Sequence, residues 1–482
     1  MNRRDFLTAA GAVSFAALAP EAAFAAAAAP WTLGWADVEG DLEPRRLRRV
    51  HGRAPVDLRG VLYRNGPAKF RRAGASATHW FDGDGLMRRF AVEDGEATLS
   101  ARFVDTPKRR ADAAADAVIT PGFGTPSGPG ARIGGPDDAN AANTAVLPIG
   151  DDVWALWEGG SPFRMDGRSL RTRGPVTLGE NLGGMPFLAH PRRDVDGTIW
   201  NLGMNGAACI VWKLSADGVL QSATPVTLPR ASYLHDFTAT DRHLILVLQP
   251  WLFAASRPPF VNTLAWRPEE GVQVLVLDKA DLTRRRVFEL PAFSFFHLGS
   301  AWNDGEDIRF DVCAATDPSF AVRGARDVLL GRRPDPAGAA ELAGVVLRAN
   351  GRAEMTRTGR KAEFPQSDPR RAGLSRRLTA HVCEPARSDA FTGAVAVRDW
   401  STGHEDRYDF GPDHLTEELL FVPKPGRTAE SDAWLIGTTL NLRARATELH
   451  VFEAARVAAG PLVTWRADVP LPLGFHGAWG PT

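Results

Sequence analysis

Past its N-terminus this chain sustains no helical repeat of apolar residues. Short β-type runs recur along it instead. The runs at 153–157, 208–212, 243–248, 272–277 and 433–437 are examples, and Gly, Pro, Asn or Asp usually flank them. The chain holds 47 Gly and 35 Pro in 482 residues, a supply of turn formers that suits many short strands better than long helices. Strands spread over so long a chain exceed a sandwich, which fills at roughly 250 residues. The pattern predicts an all-β fold and fits a β-propeller, whose blades would take about 65 residues each if there are seven. No WD or kelch repeat is present, so the blades must be divergent. The stretch 105–138, rich in Ala, Gly, Pro and Arg, reads as a loop or a short helix plus loop over one face. The stretch 321–353 is similar, with a helix expected at 339–347, and 368–377 is a basic loop. No linker divides residues 30–482, which are expected to form a single domain.

Composition narrows the function. Lys+Arg and Asp+Glu both number 57, so no global charge favours nucleic acid. No later apolar run reaches the roughly 18 residues of a membrane span. Cys209, Cys313 and Cys383 are far apart and lack CxxC spacing, which excludes a disulfide framework and a Cys-based zinc site. They read as free, buried small hydrophobes. The chain opens Met-Asn-Arg3-Arg4-Asp-Phe-Leu, continues through an apolar stretch to Leu18, and carries a small-x-small site at Ala23-Phe24-Ala25. That pattern reads as a twin-arginine-type export signal over residues 1–29 and predicts a periplasmic location. Such export carries proteins already folded, which suits a protein that takes up its metal before it leaves the cytoplasm.

Four histidines have apolar or aromatic neighbours: His190, His235, His297 and His476. Any one alone reads as a satisfied core residue. Their spacings are 45, 62 and 179 residues, and the last is close to three times the second. If a blade is about 60 residues long, equivalent inner strands of different blades bring these imidazoles to one axis. No local HxH or HExxH supports the idea.

Nine further runs carry a resemblance. They are Leu62-Tyr-Arg-Asn-Gly-Pro67, His79-Trp-Phe-Asp-Gly-Asp-Gly-Leu86, Asn143-Thr-Ala-Val146, Ala155-Leu-Trp-Glu-Gly-Gly160, Ala189-His-Pro191, His235-Asp-Phe237, Glu363-Phe-Pro365, Phe421-Val-Pro-Lys-Pro-Gly426 and Gly474-Phe-His-Gly477. In this order the mature chain resembles the carotenoid cleavage oxygenase family. The resemblance implies a seven-bladed β-propeller with a loop and helix cap over one face, and four Fe(II) ligands at His190, His235, His297 and His476. It also implies Glu158, Glu363 and Glu418 as carboxylates hydrogen-bonded to three of those histidines. Leu419 stands where the family usually has proline, so Glu417 is an adjacent rival to Glu418. His79 reads as the brace of a turn. His51, His243, His381, His404, His414 and His450 read as structural or surface residues.

Neutral imidazoles suit first-row metals, and nearby carboxylates fix their tautomer while offsetting charge. By resemblance the chain is a dioxygenase that cleaves a conjugated C=C bond of a carotenoid or apocarotenoid, with dioxygen as co-substrate. Stilbene cleavage is the alternative. Stilbene-cleaving relatives anchor a phenol with Tyr and Lys, whereas here Leu99 replaces that tyrosine and no lysine lies between Lys108 and Lys213. A propeller that binds a ligand without catalysis, and a non-oxidative isomerase, also remain open. After His297 the run Leu-Gly-Ser-Ala-Trp-Asn-Asp304 departs from the family's usual His-x-x-Asn-Ala-(aromatic)-Glu. The apolar segment 250–260 reads either as a tunnel mouth touching membrane near Trp251 and Phe253, or as a buried piece of the cap.

Overall fold

Consecutive β-type runs fold back on one another because the turns between them are short. Asp94 and Gly95 both have positive φ, 50° and 79°, and join Asp84–Glu93 to Glu96–Phe103. An Asp-Gly pair in that conformation matches the right-handed twist of the strands it connects. The computed structural model describes residues 29–255, 257–384 and 393–481. Residues 1–28 of the expected export signal lie outside the described residues.

Among the described residues the antiparallel ladders group into seven main sheets in chain order. Named from the innermost strand outward, the first is Gly477–Gly480, Gly60–Arg64, Asp84–Glu93, Glu96–Phe103 and Leu42–Arg46. The second runs from Ala145–Ile149 to Thr172–Pro175, the third from Arg192–Arg193 to Leu220–Thr227, and the fourth from Thr238–Ala239 to Arg285–Leu290. The long strand Ala353–Gln366 serves two sheets. As far as Lys361 it pairs with Glu341–Leu347 in the fifth, and from Ala362 onward it pairs with Leu378–Cys383 as the innermost strand of the sixth. The seventh begins at His414–Pro423 and ends with Arg48–Gly52 paired to Val463–Arg466. The ring is therefore stitched twice. A C-terminal strand completes the first sheet, and an N-terminal strand completes the last.

The core lies between sheets, as expected of a propeller. Leu202, Val211, Leu246, Val274, Phe295 and Val312 form one continuous buried wedge across the third, fourth and fifth sheets. Leu62, Phe90, Ile436, Val451 and Trp465 join the first to the seventh. Each fully buried aliphatic side chain in these wedges contributes roughly 1.5–3 kcal/mol. Cys209, Cys313 and Cys383 are buried and free, as expected.

Loops cap one face. The stretch 105–138 holds the helix Pro107–Ala115 followed by irregular chain, as its composition suggests. Lys108 fixes that helix to the first sheet. Its amino group is buried and lies 2.9 Å from both Asp84 and Asp112. Asp82 accepts the backbone N–H groups of Phe123, Gly124 and Thr125, pinning the next loop. His79 braces a turn: its Nδ1 accepts the Phe81 N–H, and its Nε2 reaches the Ala321 carbonyl at 2.7 Å.

One expectation is corrected. Residues 339–347 do not form a helix; Glu341–Leu347 is a strand between Asp307–Ala315 and Ala353–Gln366. Leu342, Ala343, Val345 and Leu347 are buried there, and sheet packing overrides the helix propensity of the alanines. The helical turn of this region lies earlier, at Phe320–Leu329.

Candidate metal centre

Every one of the seven sheets sends one ionisable side chain toward the axis on the capped face. His476, His190, His235 and His297 come from the first, third, fourth and fifth sheets, at or just before their innermost strands. Glu363 and Glu418 lie on the innermost strands of the sixth and seventh. Glu158 follows Asp152–Leu156 of the second. Local bulges aim three of these groups. The pairing register slips between Phe295 and Leu298, between Glu363 and Gln366, and between Thr416 and Leu419. A bulge bends its strand and re-aims a side chain that regular alternation would send elsewhere.

The four imidazoles converge through nitrogen. One donor atom from each lies within 4.8 Å of all the others. His190 Nε2 is 3.0 Å from His235 Nε2, and His297 Nε2 is 3.1 Å from His476 Nε2. The opposite nitrogens of three rings are engaged. His235 Nδ1 lies 2.6 Å from Glu158 Oε2, His297 Nδ1 2.6 Å from Glu363 Oε2, and His476 Nδ1 3.0 Å from Glu418 Oε1. Among the described residues no carboxylate pairs with His190.

Once Nδ1–H is given to a glutamate, the Nε2 lone pair faces inward. Two such lone pairs 3.1 Å apart repel unless a cation lies between them. Burial holds His190 well below the ordinary imidazole pKa, and the three neighbouring imidazoles reinforce the effect. Burial also lowers His476, partly offset by Glu418. His297 differs: burial opposes its charge, but Glu363 and the charges of Asp236 and Glu418 together raise it. Burial opposes the charge of Glu418 too, yet His476 and Arg64 bring it below the usual carboxylate range. The donor set of neutral imidazoles braced by carboxylates fits a divalent first-row metal.

Of the two rivals, Glu418 is the one that reaches a histidine. Glu417 points to buried Arg88 at 3.2 Å and to the hydroxyl of Thr438. Arg64, in the Arg-Asn-Gly-Pro run, supports Glu418 from behind: its Nη2 donates to the Glu418 carbonyl at 2.6 Å and its Nη1 to the Phe475 carbonyl. The remaining histidines lie outside the cluster, as expected.

Three residues near the centre were not singled out from the sequence. Tyr233 donates its hydroxyl to Glu158 Oε1 at 2.7 Å, and burial and Glu158 hold its phenol well above the ordinary value. Gln366 donates to Glu418 at 2.7 Å. Phe364 stacks on His297, centroids 4.8 Å apart and planes at 27°, with a φ of 57° just before Pro365. A bulky residue in that region costs about 1–3 kcal/mol and persists only where its surroundings enforce it. The available signal was position: Tyr233 is two residues before His235, and Phe364 directly follows Glu363.

His235, His297 and His476 open onto a cavity of about 1070 Å³. Phe81, Phe296, Phe364 and Phe475 wall it near the imidazoles, and Phe253, Pro258 and Phe260 wall it farther out. Residues 35–481, covering all seven sheets, match the family described as RPE65, retinal pigment epithelial membrane protein. The chain belongs to that family, the carotenoid cleavage oxygenases. Among carotenoid cleavage oxygenases it is 27% identical over 470 residues to apocarotenoid-15,15'-oxygenase of Synechocystis sp., covering 90% of this chain and 92% of that one. It is 25% identical over 479 residues to lignostilbene-alpha,beta-dioxygenase isozyme III of Sphingomonas paucimobilis, covering 91% and 96%. The solved structure of cobalt-substituted Synechocystis ACO matches with a TM-score of 0.85 at 25% identity, over 94% of this chain and 98% of that one. Like its relatives, this carotenoid cleavage oxygenase is an enzyme of the oxygenase type.

Leu99 does not bear on a phenol clamp. Leu99 is buried in the wedge between the first and seventh sheets and does not line the cavity, so the residue type there does not report on the substrate. Among the described residues Tyr233 is the tyrosine on the cavity wall, and its hydroxyl is already engaged by Glu158. Lys361 lines the cavity and gives its amino group to the Pro336 carbonyl.

Proposed function

We propose that this chain is an Fe(II)-dependent dioxygenase that cleaves one conjugated C=C bond of a carotenoid or apocarotenoid to two carbonyl products. The observation that carries the reading is the convergence of four imidazole nitrogens, three braced by carboxylates, at the wall of an apolar cavity. His190, His235, His297 and His476 are assigned as the ligands, and Glu158, Glu363 and Glu418 as their braces. Bound there, the iron supplies the activation of dioxygen toward an alkene. The protein does the rest. Phe81, Phe296, Phe364 and Phe475 present aromatic faces that suit a flat polyene and keep water from the reacting bond. The alkene and dioxygen account for all atoms of the two carbonyls, so no side chain is required as a proton donor.

The test is anaerobic Fe(II) loading of the protein without residues 1–29, followed by oxygen and an apocarotenoid or a hydroxystilbene. Two carbonyl products per dioxygen from the polyene are expected. Turnover of the hydroxystilbene alone would transfer the reading to the stilbene branch, and absence of iron after loading would overturn it.

Location and membrane contact belong to the same proposal. The Arg3-Arg4 signal directs the protein to the periplasm, and fractionation of cells expressing Arg3→Lys with Arg4→Lys tests this by retention in the cytoplasm. Trp251 is buried against Tyr233, so any bilayer contact falls to Phe253 and to Phe260, which is 38% exposed. Loss of vesicle binding in Phe260→Asp is the expected result.

A further inference from the structure

The three glutamates behind the imidazoles are not held alike. Glu418 receives Gln366, the Gly477 N–H and, at 3.9 Å, the buried Arg64. Among the described residues Glu363 receives, besides His297, the N–H of Phe364 at 3.3 Å. Glu158 has one side-chain donor other than His235, the hydroxyl of Tyr233 at 2.7 Å. Among the described residues each Glu158 oxygen therefore has a single partner, Oε1 on Tyr233 and Oε2 on His235.

Tyr233 is itself fixed. Its N–H donates to the Trp251 carbonyl at 2.8 Å, and its carbonyl accepts from Gln249 at 3.4 Å. Its ring packs against Trp251 and Phe123 at 5.0 and 5.9 Å, and it lies 6.5 Å from the His235 ring with the planes at 27°. Both Tyr233 and Glu158 line the cavity. When an apolar substrate fills that space, water is displaced and cannot replace a missing donor on Oε1. An unsatisfied carboxylate oxygen there would turn toward any remaining polar group and release His235.

We propose that Tyr233 is a positioning residue of this centre: its hydroxyl locks Glu158 so that the His235 Nε2 stays aimed at the metal. The inference rests on the proposed function, because it assigns His235 as a ligand. It goes further by extending the brace to a tyrosine outside the four-histidine cluster.

The experiment is anaerobic titration of the metal-free protein with Co(II), following the ligand-field absorption, for wild type, Tyr233→Phe, Glu158→Gln and the double variant. Tyr233→Phe keeps the ring and its packing. A roughly tenfold weaker Co(II) dissociation constant with an altered absorption spectrum is expected, in the 10–100-fold range of such indirect ligand supports. With iron, kcat should fall while KM changes less than about twofold. The double variant should bind Co(II) no more weakly than Glu158→Gln alone, since both remove one linkage. Wild-type affinity and spectrum in Tyr233→Phe would overturn the inference and leave the proposed function standing. No Co(II) binding by wild type would overturn both.

Discussion

His297 and Glu363 are joined at 2.6 Å, and Phe364, the next residue, lays its ring over the same imidazole. One bulge thus supplies both the carboxylate and the stacking face, and the unusual backbone of Phe364 holds them in register. Glu363→Gln keeps a hydrogen-bond acceptor but removes the charge. Metal affinity is expected to drop by about 10–100-fold, read by Co(II) titration. Unchanged affinity would remove Glu363 from the site.

Glu417 and Glu418 should separate cleanly. Glu417 is the ion partner of fully buried Arg88, so Glu417→Gln leaves that guanidinium uncompensated and should cost about 3–5 kcal/mol in urea unfolding. Its Co(II) affinity should stay within about twofold of wild type. Glu418→Gln should instead weaken Co(II) by roughly tenfold or more. The reverse pattern would exchange their roles.

Lys108→Met tests how the cap is held. The amino group it removes is shared by two buried aspartates, Asp84 and Asp112. Methionine fills the space but leaves their charge, so a loss of about 3–5 kcal/mol is expected. Limited proteolysis should cut first within 105–138. Wild-type stability would show that the helix Pro107–Ala115 is held by its other contacts.

Acid should act on the seventh sheet. Burial opposes the charge of Glu448, but the hydrogen bond to His414, the charge of His450 and the Arg466 guanidinium bring its carboxyl from the ordinary 4.5 to about 2. Burial lowers His450 from 6.5 to about 3, against the opposing charge of Glu448. Both folded-state values lie below the unfolded ones, so the unfolded chain takes up protons first. The His450 contribution is complete above 6.5 and is lost as pH falls toward 3. The Glu448 contribution is complete above 4.5 and is lost toward 2. Tm should fall steadily between pH 6.5 and 3, and less steeply in His450→Asn. Equal slopes would assign the acid response elsewhere.

The thiols should be silent in the native protein. Burial pushes Cys209 and Cys383 up to about 12, and it also raises Cys313 well above the ordinary thiol range. A disulfide reagent at neutral pH should label none of the three in minutes, and all three after denaturation. Rapid native labelling of Cys209 or Cys313 would mean that a sheet opens locally, whereas Cys383 lines the cavity.

Much of this centre was legible because its residues lie in short runs with distinctive neighbours. His235-Asp-Phe, Gly-Phe-His476-Gly and Glu363-Phe-Pro each carry their own local signal, and the run of strands gave the all-β class. Other parts were not readable, since they depend on pairing across hundreds of residues. That Glu418 and not Glu417 faces His476 follows from a bulge between Thr416 and Leu419, and side-chain alternation cannot foresee a bulge. The partnership of Tyr233 with Glu158 spans 75 residues and two sheets. The error at 339–347 has the same origin. An alanine-rich start suggested a helix, but the strands on either side were already waiting for a partner.

The twofold stitching of the ring has a consequence for how the protein is made. His476 is made with the strand that closes the first sheet, after the other three histidines of the cluster. A nascent chain that stalls earlier lacks one imidazole and the seam in the same stroke, so the four-histidine cluster and the closed ring are completed together.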